Sequence, residues 1–528
     1  MESSSPSLEV STTSGRIENR KEWKAKEADH LSNRAGFFAV LGLILLGLCV
    51  RIYGLSAPSL WLDEAISANI VNGSVTECIQ HAANDLHPPL YYLLLRFWSL
   101  LGHDEWTLRS FSVLCNFLSG IVLFFCIRQM LNSSVALLAL LLFALSPFQV
   151  RYSQEVRMYS LLGLWMVLAL FFVWEYLKNR NLPFLFGYIF SSALGLYTHY
   201  QAGIFLVILN LAVMVRLYRR DRSHLWQWFL AQWVILALFV PWVPHFIQQF
   251  KGAGRAWVLF HPSLPLFVSP LLAFLWGEPV LSKLYHFLWP ILMKIMALGP
   301  MAQWIERLSL VIFFFFVILM GWRHRDKWIR LGFPIFFSIV LLAGIFVLSF
   351  ALSFKSNIFG AKYLFGSSFI VYIVVASFLV VLFRFNRPIG IGLGLVVVVS
   401  QVLMLVAYYQ PENHRENWRG AVAHINGHSG PNHAVGFHFD APMAPYTYYA
   451  DDSIPAYGFL KEGDLSPSLL AVISSQNNAL WLFDYLAELY DPKEKVKRKL
   501  LEHGYVPGRR HDFNGVSLTL WKRTAGFE

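Results

Sequence analysis

Charge is scarce in this sequence. Lys, Arg, Asp and Glu supply 14% of its 528 residues, against roughly a quarter in an ordinary soluble domain, so most of the chain does not face water. Cysteine is scarcer still. Cys49, Cys78, Cys115 and Cys126 are the four, three of them inside apolar segments, with no CxxC pair and no His/Cys spacing of a zinc site. That argues against a disulfide framework and a structural zinc. The chain also lacks a P-loop, a dinucleotide fingerprint and a repeat of two halves. A nucleotide-binding fold and a repeat-built transporter are therefore not expected.

Apolar residues are abundant, 56% of the chain, and they lie in blocks. Segments of about 17–25 residues, enough to cross a bilayer, recur near 36–55, 106–131, 133–150, 159–177, 182–199, 201–218, 226–246, 306–322, 331–353, 363–383 and 388–409. This predicts a polytopic α-helical membrane protein of about eleven transmembrane helices. The net charge of +11 follows from topology and implies no nucleic-acid partner. Arg16, Arg20, Lys21, Lys24, Lys26 and Arg34 precede the first span. Lys178, Arg180, Arg216, Arg219, Arg220, Arg222, Arg323, Arg325, Lys327, Arg330, Arg384 and Arg387 fall in alternate short loops. Positive loops stay inside. The N-terminus is expected in the cytoplasm of a multi-pass protein of the plasma (inner) membrane, and an odd span count puts the C-terminal region outside.

Residues 1–35 read as a disordered cytoplasmic arm, too long and polar for a signal n-region, so the first apolar segment reads as a retained anchor. Residues 36–409 form the membrane module, with long outer loops at 57–105 and 247–305. In the first loop, Pro89 to Leu101 is too short to span and predicts a helix lying in the interface. The second is interrupted by six prolines and carries Trp257, Trp276, Trp289 and Trp304, which suits a re-entrant segment. Residues 410–528 are polar and predict a small extracytoplasmic α/β domain, with strands at 434–439, 479–483 and 516–521 and an amphipathic helix over 493–503.

Five motifs fall on the outer face. They are Leu60-Trp61-Leu62-Asp63-Glu64, then Asp85-Leu86-His87-Pro88-Pro89-Leu90-Tyr91-Tyr92, Ser153-Gln154-Glu155-Val156-Arg157-Met158-Tyr159, Tyr197-Thr198-His199-Tyr200 and Asn417-Trp418-Arg419-Gly420. In this order they resemble the protein O-mannosyltransferase-like and aminoarabinose-transferase-like branch of the GT-C glycosyltransferases (family 39-type). The resemblance covers residues 36–210 well and the rest through layout. It implies a GT-C membrane enzyme that moves a sugar from a polyprenyl-phosphate donor to a hydroxyl of a protein, lipid or glycan acceptor, with inversion.

That chemistry needs a base near the acceptor hydroxyl, and Asp63 is the candidate; its plainer reading is a helix N-cap. Glu64 orients Asp63, binds a cation or touches the sugar. Asp85 and His87 precede the stiff Pro88-Pro89 and are expected to bind phosphate or, together, a divalent metal. The leaving phosphate needs a cation, so Arg157 is the candidate clamp, with Glu155 a second acid near the sugar. Tyr159 and His199 are further binding candidates, although tyrosines at this depth also form the aromatic belt. Relatives place Arg where Lys362 stands, and lysine keeps the charge but loses the planar fork. A divalent metal is the one cofactor considered. The competing reading is a lipid or glycan transporter or flippase without transferase activity.

Overall fold

The computed structural model describes residues 34–252, 264–278, 332–354, 358–430, 432–451, 454–461, 464–466 and 479–524. Helices occupy ten of the eleven expected spans, and the eleventh, 306–322, lies outside the described residues. The N-terminal arm and most of 247–305 lie outside them too. Seven helical stretches are long and apolar enough to cross a membrane by themselves, among them α5 (Glu105–Met130), α8 (Tyr159–Asn179), α10 (Gln201–Arg220), α15 (Phe365–Phe385) and α16 (Arg387–Tyr408). The helix α1 (Arg34–Ile52) and α9 (Leu182–Thr198) are shorter apolar rods in the same bundle. The outward faces of the bundle are apolar: Trp226 and Trp233 on the helix Leu225–Phe239, Phe378 on α15, and Val396 and Leu403 on α16 are exposed. Such all-round apolar helices are stable only where lipid covers them.

One expected span is broken. The stretch 133–150 forms α6 (Ser133–Leu145) and α7 (Pro147–Ser153), bent by 59° at Ser146. Pro147 has no N–H to continue the ladder. Ser146 is extended and caps the new helix, its Oγ accepting from Gln149 N at 3.3 Å. The hydroxyl also donates to Phe274 O at 2.8 Å and accepts from Tyr372 Oη at 2.9 Å. Phe274 belongs to α13 (Leu264–Trp276), whose last carbonyls are thus met inside the bundle; Gln401 Nε2 supplies Leu275 O at 3.0 Å. The bend turns residues 151–157 across the end of the bundle.

The loop 57–105 holds three helices, α2 (Leu62–Asn72), α3 (Val75–Asn84) and α4 (Leu90–Trp98). The last falls on the short apolar segment expected to be helical; Phe97, Leu100 and Leu101 at its end are exposed. Above the bundle, α17 (Trp418–His428) leads into a six-stranded sheet ordered β3-β2-β1-β4-β6-β5. The strands are β1 (His433–Phe439), β2 (Ala456–Lys461), β3 (Asp464–Leu465), β4 (Ala479–Phe483), β5 (Tyr505–Phe513) and β6 (Val516–Arg523), with β2-β1-β4 parallel and the other pairs antiparallel. The three expected strands are β1, β4 and β6, and the expected helix is α20 (Lys495–Glu502), preceded by the short α18 (Met443–Tyr449) and α19 (Ala487–Tyr490).

The domain is tied to the first loop by polar contacts. Ser59 Oγ donates to Glu416 O at 2.7 Å and accepts from Trp418 N at 3.0 Å. Arg419 pairs with Glu105, and Tyr449 Oη accepts from Leu60 N at 2.7 Å. On α18, Ala444 O accepts from Asn69 Nδ2 at 3.1 Å.

Candidate active site

The helix α2 starts at Leu62, and Trp61 N is capped by Glu64 Oε2 at 3.3 Å. Asp63 is therefore not the N-cap; its carboxylate is free for other work. The two acids point to different faces, as adjacent helical residues must. Glu64 is 1% exposed and lies in a fork with Arg109, at 2.7 Å to Nη2 and 2.9 Å to Nε. Its Oε1 also accepts from Val156 N at 2.8 Å. Arg109 donates further to Leu55 O and Pro58 O, both at 2.8 Å, and to Ser59 O at 3.1 Å. Glu64 and Arg109 thus lock the loop before α2, α5 and residue 156 into one unit.

Asp63 stays accessible, its side chain 30% exposed, 3.9 Å from Arg157 Nη2. Arg157 is buried; Nη1 lies 3.4 Å from both Asp63 O and Ser67 Oγ, and Nη2 lies 3.1 Å from His87 Nε2. A guanidinium only donates, so His87 Nε2 accepts and its proton sits on Nδ1. Burial, then the charges of Arg157 and Lys362, hold the His87 pKa well below its ordinary value. The His199 ring lies 5.3 Å from that of His87 and 6.0 Å from Tyr159. His199 Nδ1 accepts from Gln201 N at 3.1 Å, which leaves the proton on Nε2. Burial, then His87, Arg157 and Lys362, depress its pKa as well. Both histidines are neutral. Among the described residues Lys362 makes a cation–π contact, 5.0 Å from the Tyr363 ring.

Glu155 is buried beside this group. Its Oε1 receives Arg415 Nη2 at 2.6 Å, Arg415 Nε at 3.0 Å and Arg151 Nε at 3.4 Å. Burial disfavours its anion, but the two arginines outweigh that and lower its pKa. Arg415 also lies over the Trp61 ring at 3.7 Å. Asp85 Oδ2 accepts from Tyr92 Oη at 3.3 Å. Asp85 and His87 suit a divalent metal poorly, because the Nε2 lone pair of His87 is already turned to a guanidinium. Among the described residues no group of three or more His, Cys, Asp and Glu is arranged to hold a metal ion.

Four buried polar atoms around this centre have no hydrogen-bond partner among the described residues: Trp61 Nε1, Glu155 Oε2, Arg157 Nε and His199 Nε2. Buried polar atoms are ordinarily satisfied. A cluster of unpartnered polar atoms near an accessible carboxylate is what a site for a polar ligand requires.

Residues 86–245 match the family of dolichyl-phosphate-mannose-protein mannosyltransferases. No curated protein sequence matches the chain. Among solved structures, ArnT from Cupriavidus metallidurans bound to undecaprenyl phosphate is similar at 13% identity, over 94% of this chain and 99% of that one, with a TM-score of 0.51. The archaeal oligosaccharyltransferase AglB from Archaeoglobus fulgidus, in complex with an inhibitory peptide and a dolichol-phosphate, is similar at 11% identity over 94% and 75% of the two chains, also with a TM-score of 0.51. The Archaeoglobus fulgidus oligosaccharyltransferase tethered to an acceptor peptide gives 12%, 92%, 74% and 0.50. The chain has the GT-C fold that these solved structures share.

Within this GT-C fold residues of four of the five motifs meet at one place; the fifth, Asn417 to Gly420, opens the C-terminal domain, where Arg419 pairs with Glu105. Asp63, His87, Arg157, Tyr159, His199 and Lys362 lie around one centre, Asp85 borders it through Tyr92, and Glu155 lies behind it against Arg415. Three residues of the site were not singled out from the sequence. Arg109 had a signal, a buried cation in an otherwise apolar segment, which is rare unless it has a task. Arg415 stands in the polar stretch that opens the outer domain. Glu278, whose carboxylate lies 3.6 Å from Arg151 and accepts from Tyr152 Oη at 3.1 Å, comes from the proline-rich loop and had none.

Proposed function

We propose that this protein transfers a sugar from a polyprenyl-phosphate donor to an acceptor hydroxyl, on the outer face of the membrane and with inversion. The observation that carries this reading is the accessible Asp63 carboxylate held beside the buried Arg157, over two neutral histidines and bordered by unpartnered polar atoms. The fold supports it, since solved relatives of the same fold hold undecaprenyl phosphate and dolichol-phosphate.

Asp63 takes the proton of the acceptor hydroxyl as its oxygen attacks the anomeric carbon from the face opposite the phosphate. The bond from that carbon to the phosphate oxygen breaks, and the electron pair leaves with the phosphate. The phosphodiester carries one negative charge and the departing polyprenyl phosphate carries two. Arg157 meets the charge that develops, with Lys362 a second cation near it. His199 offers its Nε2–H, and neutral imidazoles add donors without repelling the guanidinium. Glu64 acts through Arg109 by fixing α2, and it does not touch the sugar. Helix polarity supports the placement on the outer face. The helices α8, α10 and α15 begin at the site and end near Lys178, Arg220 and Arg384, so basic loops and site lie at opposite ends.

Binding of undecaprenyl phosphate to the purified full chain tests the phosphate role. Arg157→Ala is expected to lose it and Arg157→Lys to weaken it, because lysine keeps the charge without the fork. Unchanged affinity in the alanine variant would remove Arg157 from the phosphate site.

A further inference from the structure

A cleft separate from the cationic centre opens between α2, α3 and the outer domain. It has a volume of about 360 Å³ and is lined by Ile66, Asn69, Ile70, His81, Asn84, Asp85 and Ala444. Its geometry follows from helix periodicity. Ile66 and Ile70 lie three and seven residues after Asp63, so the face of α2 that carries the Asp63 carboxylate runs into the cleft. His81, Asn84 and Asp85, spaced three and four apart, form the facing wall. Ala444 of α18 closes the top, held by the Asn69 amide at 3.1 Å. Asp85 is the junction: it lines the cleft and accepts from Tyr92, whose neighbourhood includes Arg157.

The two compartments differ in chemistry. The centre around Arg157 and Lys362 is cationic and suits a phosphate. Among the described residues the cleft wall holds two amides, an imidazole and a carboxylate, and no lysine or arginine. Asp85 there repels an anion and accepts hydroxyl hydrogens, and each amide offers both a donor and an acceptor. The walls are helical side chains, without the strand edge on which an extended peptide pairs. The volume falls in the usual range for a small-molecule site, about 300–1,000 Å³.

From this we infer that the cleft is the acceptor site and that it takes a neutral, hydroxyl-rich group, a sugar unit of a glycan, with the reacting hydroxyl delivered along the α2 face to Asp63. The inference rests on the transfer proposed above. It also gives the outer domain a task, since Ala444 forms one wall.

The test uses the full chain in detergent, with methyl glycosides (methyl α-D-mannopyranoside and methyl β-D-galactopyranoside) as probes and saturation-transfer NMR as readout. The exposed Asn84 is replaced in Asn84→Trp, which fills the cleft, and in Asn84→Ala, which removes a hydrogen-bonding group without adding bulk. At least one glycoside is expected to give a signal in the unmodified protein, at least tenfold weaker in Asn84→Trp and reduced in Asn84→Ala, while undecaprenyl phosphate binds all three equally. No glycoside signal, or a signal untouched by Asn84→Trp, overturns the cleft as a sugar site. Displacement of a bound serine- or threonine-bearing peptide by Asn84→Trp, with no glycoside signal, overturns the sugar assignment in favour of a protein acceptor. Absence of undecaprenyl phosphate binding in the unmodified protein strikes the donor reading instead, and leaves the glycoside result to judge the cleft.

Discussion

Asp63 and Glu64 are neighbours in the chain and sit in opposite electrostatic roles. Glu64 has both oxygens engaged, by Arg109, Val156 N and Trp61 N. Asp63 has one long contact, to Arg157 at 3.9 Å. Removing a general base typically lowers a rate by ~10²–10⁴, so Asp63→Asn is expected to lose transfer by that factor with an unchanged melting temperature. A variant that keeps more than half of the normal turnover rules Asp63 out as the base. Glu64→Ala leaves Arg109 buried and uncompensated, which costs on the order of 3–5 kcal/mol. Its signature is lost thermal stability and expression; a stable, well-expressed Glu64→Ala protein would contradict the clamp.

The histidines give a pH test. Both His87 and His199 have folded pKa values well below 6.5, chiefly by burial. The unfolded chain therefore takes up protons below about pH 6.5 that the folded protein refuses. Stability from these two groups is complete above that pH and is lost progressively as pH falls toward their folded values. Melting temperatures between pH 8 and pH 5 are expected to drop less in His199→Gln than in the unmodified protein. Equal slopes would mean that His199 is not held neutral.

The break at Ser146 is the element on which the site depends. A single span over 133–150 was the natural reading of an unbroken apolar run, because periodicity cannot distinguish one rod from two joined at an angle. Pro147 was the visible cue, and two of the three hydrogen bonds of Ser146 were not visible, since their partners Phe274 and Tyr372 are distant in sequence. Ser146→Ala removes the cap of α7 and one of the hydrogen bonds at Phe274 O and at Tyr372 Oη, which still bond each other at 2.7 Å. The expected loss is about 1–2 kcal/mol, read as a lower melting temperature; no change would mean that Pro147 alone holds the bend. The sheet follows the same logic. Strand β4 is an unbroken apolar run, and in β1 and β6 apolar and β-branched residues outnumber the rest, so all three were legible. Strand β5 contains Pro507-Gly508 with a register shift between Pro507 and Arg510, tolerable at the edge where it lies. Strand β2 has Gly458 pressed against Asp440, where a β-carbon would not fit. Both carry residues that ordinarily end a strand, so sequence pattern passes over them.

At the scale of the whole molecule, apolar length and charge bias are strong signals, and helices were found where they were expected. The motifs were legible because an acid, a histidine or an arginine at the end of an apolar run has few structural excuses. What joined them was not: Arg109, Arg415 and Glu278 reach the site from distant parts of the chain, and only packing brings them there. The same signals predict a topology that is open to measurement. Basic residues cluster at the ends of α8, α10 and α15 away from the site, and Arg180 and Asp221 pair there at 2.6 Å. Cytoplasmic retention of such loops is the expectation, and with it Asp63, Arg157 and the C-terminal domain are expected on the opposite side. A periplasm-active reporter fused after Glu528 is expected to be active, and a cytoplasm-active reporter there silent. The reverse pattern would place the site in the cytoplasm. A donor sugar displayed on the outer leaflet would then be out of reach, and the proposed transfer would fall with the topology.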